Sequence, residues 1–107
     1  MLLEALEGTM TFSHFLSSDG AFHSNYGSQI DALEERVFAR AAERGIPATL
    51  YLTWGSVAPS NQQAVQQFAQ RLRARNYPRL NLVTDSFPAS HTGMDPLAFD
   101  AALTRFL

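Results

Sequence analysis

His91 is the residue of this sequence best suited to acid–base chemistry. It lies in the loop 85–93, which follows a predicted strand over residues 80–84. In open sheets of parallel strands, ligands bind at the edge where the strands end, and an imidazole in a loop at that edge is well placed to act as a general base. The alternative is a loop histidine that has no catalytic role.

A histidine base needs a carboxylate to hold its ring, and two aspartates follow predicted strands. Asp19 comes after the strand 11–17, and Asp85 comes directly after the strand 80–84. Asp85 is disfavoured because it is close to His91 along the chain. Asp19 is a possible acid, although an aspartate in such a place more often starts a turn or caps a helix, which is the interpretation that the sequence favours.

No serine of this sequence stands in a nucleophile elbow. The pattern G-x-S-x-G, which presents a catalytic serine on a strained turn between a strand and a helix, occurs nowhere in the chain. A serine is inert without such a turn and an adjacent base. We therefore interpret five serines as loop residues without a catalytic role: Ser17, Ser18, Ser56, Ser86 and Ser90.

Neither a metal site nor a cofactor site is predicted. The chain contains no cysteine, which excludes disulfides, thiolate nucleophiles and cysteine-based metal sites. The other two histidines, His14 and His23, do not pair with acidic residues at metal-ligand spacing. We interpret His14 as a sheet residue and His23 as a loop residue.

Three strands alternate with three helices in the predicted architecture. The strands cover residues 11–17, 48–54 and 80–84, and the connections between them are long enough for parallel pairing. The sequence therefore predicts an α/β fold, a three-stranded parallel sheet with flanking helices in the order β-α-β-α-β-α. We expect one domain over residues 1–107, with right-handed crossovers.

The helices are predicted from apolar residues spaced three and four apart. The first helix spans residues 28–45, with Ile30, Leu33 and Val37 toward the sheet. Its predicted water-facing residues are Asp31, Glu34, Glu35 and Arg36. The second helix follows an N-cap at Ser60 or Asn61, and the third begins with Asp95 as N-cap and Pro96 as first residue.

Composition narrows the functional classes. The 107 residues are 46% hydrophobic and 17% charged, as in ordinary globular domains. The net charge is −2 and the eight Lys and Arg residues form no cluster, so nucleic acid is not an expected partner. The sequence contains no apolar run of the length of a signal sequence or membrane span. The expected location is therefore the cytoplasm, without membrane attachment.

Three stretches together resemble the C-terminal part of the α/β-hydrolases, in the esterase family that includes siderophore esterases. They are residues 12–18 with the aromatic-bearing loop 20–26, residues 51–56, and residues 86–93. The resemblance rests on their order and spacing and covers almost the whole chain. It implies that the strands correspond to the sixth, seventh and eighth of the full fold, and that His91 occupies the position of the catalytic histidine.

The resemblance also implies that two parts of the catalytic machinery are missing. The serine elbow would lie just upstream of Met1, with residues 2–6 as the end of the helix that follows it. The family places its acid after the second of these strands, where this sequence has Ser56, Ser60 and Asn61, none of which carries a negative charge. Asp19 is then the possible substitute, and the chain alone is expected to be inactive.

Two alternatives stay open beside an inactive hydrolase fragment. The chain is either a module that assembles through an exposed sheet edge, or half of a split serine esterase that another chain completes and that would then act on a small-molecule ester. The strand 11–17 would be a bare edge with Phe12, Phe15 and Leu16 and without a lysine or proline guard. This edge predicts a homodimer.

Overall fold

The computed structural model describes residues 13–22 and 24–107. The elements in this part of the chain are β1 (His14–Ser18), α1 (Ser24–Ala41), β2 (Thr49–Gly55), α2 (Gln62–Arg75), β3 (Asn81–Phe87), a 3-10 turn (His91–Gly93) and α3 (Met94–Phe106). The strands form one sheet in the order β1-β2-β3, and both pairings are parallel. The predicted α/β fold, a three-stranded parallel sheet with flanking helices, is confirmed.

The register of the strands brings their carboxyl ends to one edge of the sheet. Ser18 of β1 lies opposite Thr53 of β2, which in turn lies opposite Asp85 of β3. Gly55, the last residue of β2, lies opposite Phe87, the last residue of β3. The loops that follow the three strands therefore start side by side, which is the arrangement that builds sites in open parallel sheets.

The two faces of the sheet are covered by different helices. On one face, Leu50 and Leu52 of β2 belong to a buried cluster with residues of α1 and α2, among them Val37, Phe68 and Leu72. Ile30 and Leu33 are partly buried against this cluster, as the helical spacing predicts. On the other face, the ring of Tyr51 meets that of Phe106 of α3 at a centroid distance of 5.3 Å. Alternation along β2 thus assigns its side chains to two separate helix layers.

Several element boundaries differ from those predicted. β3 continues beyond residue 84 to Phe87, because Asp85 and Ser86 still pair with β2. The described part of β1 runs from His14 to Ser18, and Phe12 and His23 lie outside the described residues. α1 starts at Ser24, earlier than predicted. Polar side chains near a strand end or helix start make these boundaries hard to predict from the sequence, because strand pairing and packing decide where an element ends.

The predicted N-cap of α3 was wrong. Asp95 lies inside the first turn of α3, and the cap position is Gly93, the last residue of the 3-10 turn. The carboxylate of Asp95 accepts a hydrogen bond from the hydroxyl of Ser18 at 2.8 Å. The aspartate therefore connects α3 to the end of β1. The helix begins at Met94, two residues earlier than the sequence pattern predicts.

Glu34 was predicted to face water and is instead fully buried. Its carboxylate accepts hydrogen bonds from Arg71 Nε at 2.6 Å, Arg75 Nη2 at 3.0 Å and the hydroxyl of Tyr77 at 2.5 Å. Burial disfavours the ionised form, but the hydrogen bonds from Arg75, Tyr77 and Arg71 outweigh it and hold the pKa of Glu34 below its ordinary value. The charge of Glu34 thus joins α1 to the C-terminal end of α2.

Replacing Glu34 by glutamine should destabilise the fold strongly. The two arginine side chains are only 29% and 20% exposed, and they would lose their buried ionic partner while the amide NH2 group faces other donors. We expect Glu34→Gln to lower the free energy of unfolding by about 2–4 kcal/mol in urea titrations at neutral pH. The matched control is Glu35→Gln, which removes a 60% exposed partner of the same arginines and should cost less than about 1 kcal/mol.

The same pair of variants makes a pH prediction. Because the pKa of folded Glu34 lies below its ordinary value of 4.5, its contribution is fully present above that value and is lost as the pH falls through the folded pKa. Wild-type protein should therefore lose stability in acid more steeply than Glu34→Gln. Parallel acid unfolding curves, or equal effects of the two glutamine substitutions at neutral pH, would contradict this account.

Candidate active site

Two of the loops at the sheet edge bring Asp19 and His91 into contact. Asp19 directly follows β1, and His91 opens the 3-10 turn after β3. Nδ1 of His91 lies 2.7 Å from Oδ2 of Asp19. The Asp19 side chain is fully buried, whereas 56% of the His91 side chain is exposed. One edge of the imidazole is therefore held inside the protein, and the rest of the ring is open to a reacting group.

The buried carboxylate of Asp19 is surrounded by N–H donors. Oδ1 accepts from the backbone N–H of Gly55 at 3.1 Å and from that of Asn61 at 3.2 Å, and the Asn61 N–H also reaches Oδ2 at 3.1 Å. Buried anions are tolerated where such donors replace water. Asn61 immediately precedes α2, so the carboxylate also lies at the positive end of that helix.

The backbone of Asp19 has a conformation that few residues adopt. Its φ of 48° is in the left-handed region, which aspartate tolerates better than most side chains. Its N–H donates to the carbonyl oxygen of Thr53 at 2.9 Å, and its own carbonyl accepts from the side-chain amide of Asn61 at 2.8 Å. Contacts with β2 and the start of α2 therefore hold the turn that carries the carboxylate.

Backbone hydrogen bonds also connect the His91 loop to the loop after β2. The N–H of His91 donates to the carbonyl oxygen of Pro59 at 2.8 Å, and that of Val57 donates to Ala89 at 3.2 Å. A Cβ atom at Gly55 would overlap the carbonyl oxygen of Ala89. Only glycine at this position lets the two loops approach while its N–H still reaches Asp19.

The hydrogen bond to Asp19 decides which nitrogen of His91 carries the proton. An ionised carboxylate can only accept hydrogen bonds, so the proton of the neutral ring is assigned to Nδ1. Nε2 then keeps its lone pair and can accept a proton from a hydroxyl group placed about 3 Å away. The buried carboxylate would stabilise the imidazolium that forms. The arrangement is that of an oriented general base.

Asp85, the other aspartate considered as an acid, has different partners. It accepts a hydrogen bond from the hydroxyl of Tyr51 at 2.5 Å and one from Arg105 Nη2 at 3.0 Å. Burial together with the hydrogen bond to Asp85 raises the pKa of Tyr51 to about 12. Asp85 therefore connects β2 to α3.

The interpretation of five serines as loop residues was wrong for three of them, since Ser17 and Ser18 lie in β1 and Ser86 lies in β3. Three of the five serines have a hydroxyl group whose hydrogen-bond partner is a residue other than His91. The hydroxyl of Ser18 donates to Asp95, that of Ser56 donates to the carbonyl oxygen of Phe87 at 3.1 Å, and that of Ser90 pairs with Thr92. A serine becomes a nucleophile only when a base can take its proton. These three serines are therefore not activated by the His91–Asp19 pair.

Two site residues have roles that the sequence analysis did not predict. Gly55 was not among the candidate residues, and Asn61 was considered as an N-cap and as an uncharged residue in place of the acid. Both contribute through backbone N–H groups, which every residue except proline possesses. The donor role by itself therefore gives no signal in residue type, although the close approach of the Ala89 carbonyl requires a glycine at position 55.

Other classes of site are not supported by the described residues. In residues 13–22 and 24–107, no group of three or more His, Cys, Asp or Glu side chains is arranged to hold a metal ion. No helix in this part of the chain combines the length and the apolar character needed to cross a membrane.

The tautomer of His91 can be inverted by Asp19→Asn. Two backbone N–H groups converge on the Oδ1 position, so the amide oxygen should occupy it and the NH2 group should face His91. The proton then moves to Nε2, because Nδ1 must accept. We expect ¹⁵N ring shifts to report the Nδ1–H form in wild-type protein and the Nε2–H form in the variant. Asp95→Asn, the control, should keep the wild-type form, and an unchanged tautomer in Asp19→Asn would mean that the pair does not form in solution.

Comparison with known proteins relates the fold to a hydrolase. No protein-family model matches the chain, and no curated protein does. Among solved structures, the chain is similar to an IroE-like serine hydrolase from Shewanella oneidensis, with a TM-score of 0.64 and 20% sequence identity over 84% of this chain. The chain spans 31% of the length of that hydrolase. This likeness shows a distant relationship to a serine-hydrolase fold.

Proposed function

We propose that this chain carries the acid–base half of a serine esterase and that the serine comes from a segment that its sequence does not contain. The observation that carries the proposal is the 2.7 Å contact between Nδ1 of His91 and the buried carboxylate of Asp19, with the rest of the imidazole ring exposed. In this proposal His91 is the base, and Asp19 takes the place of the acid that the family has after the next strand.

In the completed enzyme, the pair would move one proton in each half-reaction. Nε2 of His91 takes the proton of the serine hydroxyl as its oxygen attacks the ester carbonyl, and returns it to the departing alkoxide oxygen. A water molecule then attacks the acyl-serine in the same way, and the acid and the free serine are released. Asp19 stabilises the imidazolium without accepting its proton. The substrate is a small-molecule ester.

The chain by itself should therefore not be an esterase. The chain lacks the nucleophilic serine, which this fold places on the elbow. It also lacks the backbone N–H donors for the oxyanion, which come from the elbow and from an earlier loop. Loss of one oxyanion donor alone lowers kcat by a factor of about 10²–10³. We expect hydrolysis of p-nitrophenyl acetate no faster than that by free imidazole at equal concentration. Saturable turnover that disappears in His91→Ala would contradict the proposal.

A fusion supplies the positive test. The part of the Shewanella hydrolase that precedes its region of similarity to this chain is joined to residue 13 of this chain, and the folded fusion is assayed on the same ester. Turnover that is abolished in His91→Ala and strongly reduced in Asp19→Asn supports the assigned roles. A folded fusion without turnover, or with turnover indifferent to both substitutions, argues against them.

A second candidate function is assembly into a homodimer, and the edge strand favours it. β1 is an outer strand of the sheet, and in the described residues only β2 pairs with it. A groove of about 290 Å³ lies between β1 and α3 and is lined mainly by apolar side chains, including Phe15, Leu16 and Phe106. Phe99 and Leu103, one helical turn apart on α3, line it as well and are 59% and 41% exposed. A twofold axis would cover this apolar surface in both copies.

The dimer and its contact surface can be tested together. Sedimentation equilibrium at micromolar concentration should give a dimer for wild-type protein and a monomer for Phe15→Lys if the β1 edge is the contact. Phe99→Lys should have that effect if the helices form it. The control, Leu97→Lys, changes another exposed apolar residue of α3 that does not line the groove. A wild-type monomer would disprove the assembly proposal and leave the catalytic one untouched.

A further inference from the structure

We propose that Asn61 is a positioning residue for the acid–base pair, which holds Asp19 in the orientation that fixes the His91 ring. The inference rests on the proposed function and adds a residue to it. Asn61 contacts both the side chain and the backbone of Asp19. Its backbone N–H reaches both carboxylate oxygens, and its side-chain amide donates to the Asp19 carbonyl oxygen at 2.8 Å.

The side chain of Asn61 is not used for the task that its position suggests. Asn61 is the N-cap of α2, where an asparagine side chain ordinarily accepts a hydrogen bond from a backbone N–H of the first turn. Here it makes no capping hydrogen bond. Its NH2 group is instead directed to a residue 42 positions away along the chain. The contact therefore serves Asp19 and not the local stability of the helix.

The Asp19 carbonyl is where such a contact has most effect. The left-handed backbone of Asp19, with φ of 48°, is less favourable for a side chain bearing a Cβ than the extended conformation of the strand before it. The Asn61 amide stabilises the carbonyl orientation that belongs to this turn. Without it, the turn can relax, and the carboxylate would leave its backbone donors and its 2.7 Å contact with His91.

The two contacts of Asn61 with Asp19 have separate functions, one made by the backbone N–H and the other by the side-chain amide. Any residue except proline at position 61 would still carry the backbone N–H group that reaches the carboxylate, so a substitution there removes the side-chain contact alone. Only a side chain that carries a donor of the right length can bind the Asp19 carbonyl. The inference therefore assigns orientation of the acid to the amide group of Asn61, which substitution can remove separately.

The test measures the His91 tautomer in the purified full chain by ¹⁵N ring shifts. Asn61→Ala should lower the ratio of the Nδ1–H to the Nε2–H form by about two- to tenfold, the effect of losing one hydrogen bond of ordinary strength. Asn61→Asp has the same shape but no donor, and should lower the ratio at least as much. Asn81→Ala is the control, since Asn81 is exposed and its amide donates to Thr49.

Each outcome decides between positioning and a merely structural role. Unfolding midpoints are measured beside the tautomer ratios. If Asn61→Ala lowers the midpoint but leaves the ratio unchanged, or if Asn81→Ala lowers the ratio equally, the inference is wrong. Should Asn61→Ala fail to fold, the ratio in Asn61→Asp decides alone. Failure of Asp19→Asn to invert the tautomer would instead disprove the underlying pair and, with it, the proposed function.

Discussion

A carboxylate buried among backbone N–H groups is the constraint on which the site depends. Asp19 has no exposed surface, and a buried charge requires partners that replace water. Those partners are Gly55 at the end of β2, Asn61 at the start of α2, and His91 after β3. Gly55 and Asn61 bound the loop after β2 and His91 follows β3, so the charge can be satisfied only when the parallel sheet has assembled and its carboxyl ends are aligned.

A second buried carboxylate, that of Glu34, is stabilised by a different kind of donor. Glu34 is as buried as Asp19, but its donors are the side chains of Arg71, Arg75 and Tyr77. Two guanidinium groups and a phenol satisfy that carboxylate and lie on the helix layer, so the network joins α1 to α2. Asp19 is instead satisfied mostly by backbone, and its Oδ2 contacts both the Asn61 N–H and an exposed imidazole. The first arrangement connects two helices, whereas the second orients the ring of His91.

The sheet edge and the site are parts of one arrangement. Asp19 follows β1, the outer strand that pairs only with β2 among the described residues. The hydroxyl of Ser18, the last residue of β1, donates to Asp95 of α3, so the strand end is tied to the helix that borders the apolar groove.

The fold could be predicted from the sequence because the spacing of apolar residues within each segment indicates which of its faces is buried. Alternating and helical spacing marked the strands and helices, and the parallel order followed from the length of the connections. The position of His91 after the last strand could be read in the same way. Boundaries were less accurate, since Asp85 and Ser86 look like loop residues until their pairing with β2 is known.

Contacts between side chains of distant segments could not be predicted from the spacing of apolar residues. Glu34 has a helical position that looks water-facing, and only the packing of α2 against α1 brings two arginines to it. Asp19 resembles an ordinary turn residue, and its contact with His91 joins positions 72 apart in the chain. By itself, the sequence determined the α/β class, the place of His91 and the lack of a serine elbow. The tertiary structure decided which carboxylate meets that histidine, because a buried charge is satisfied by donors that come together only in the folded chain.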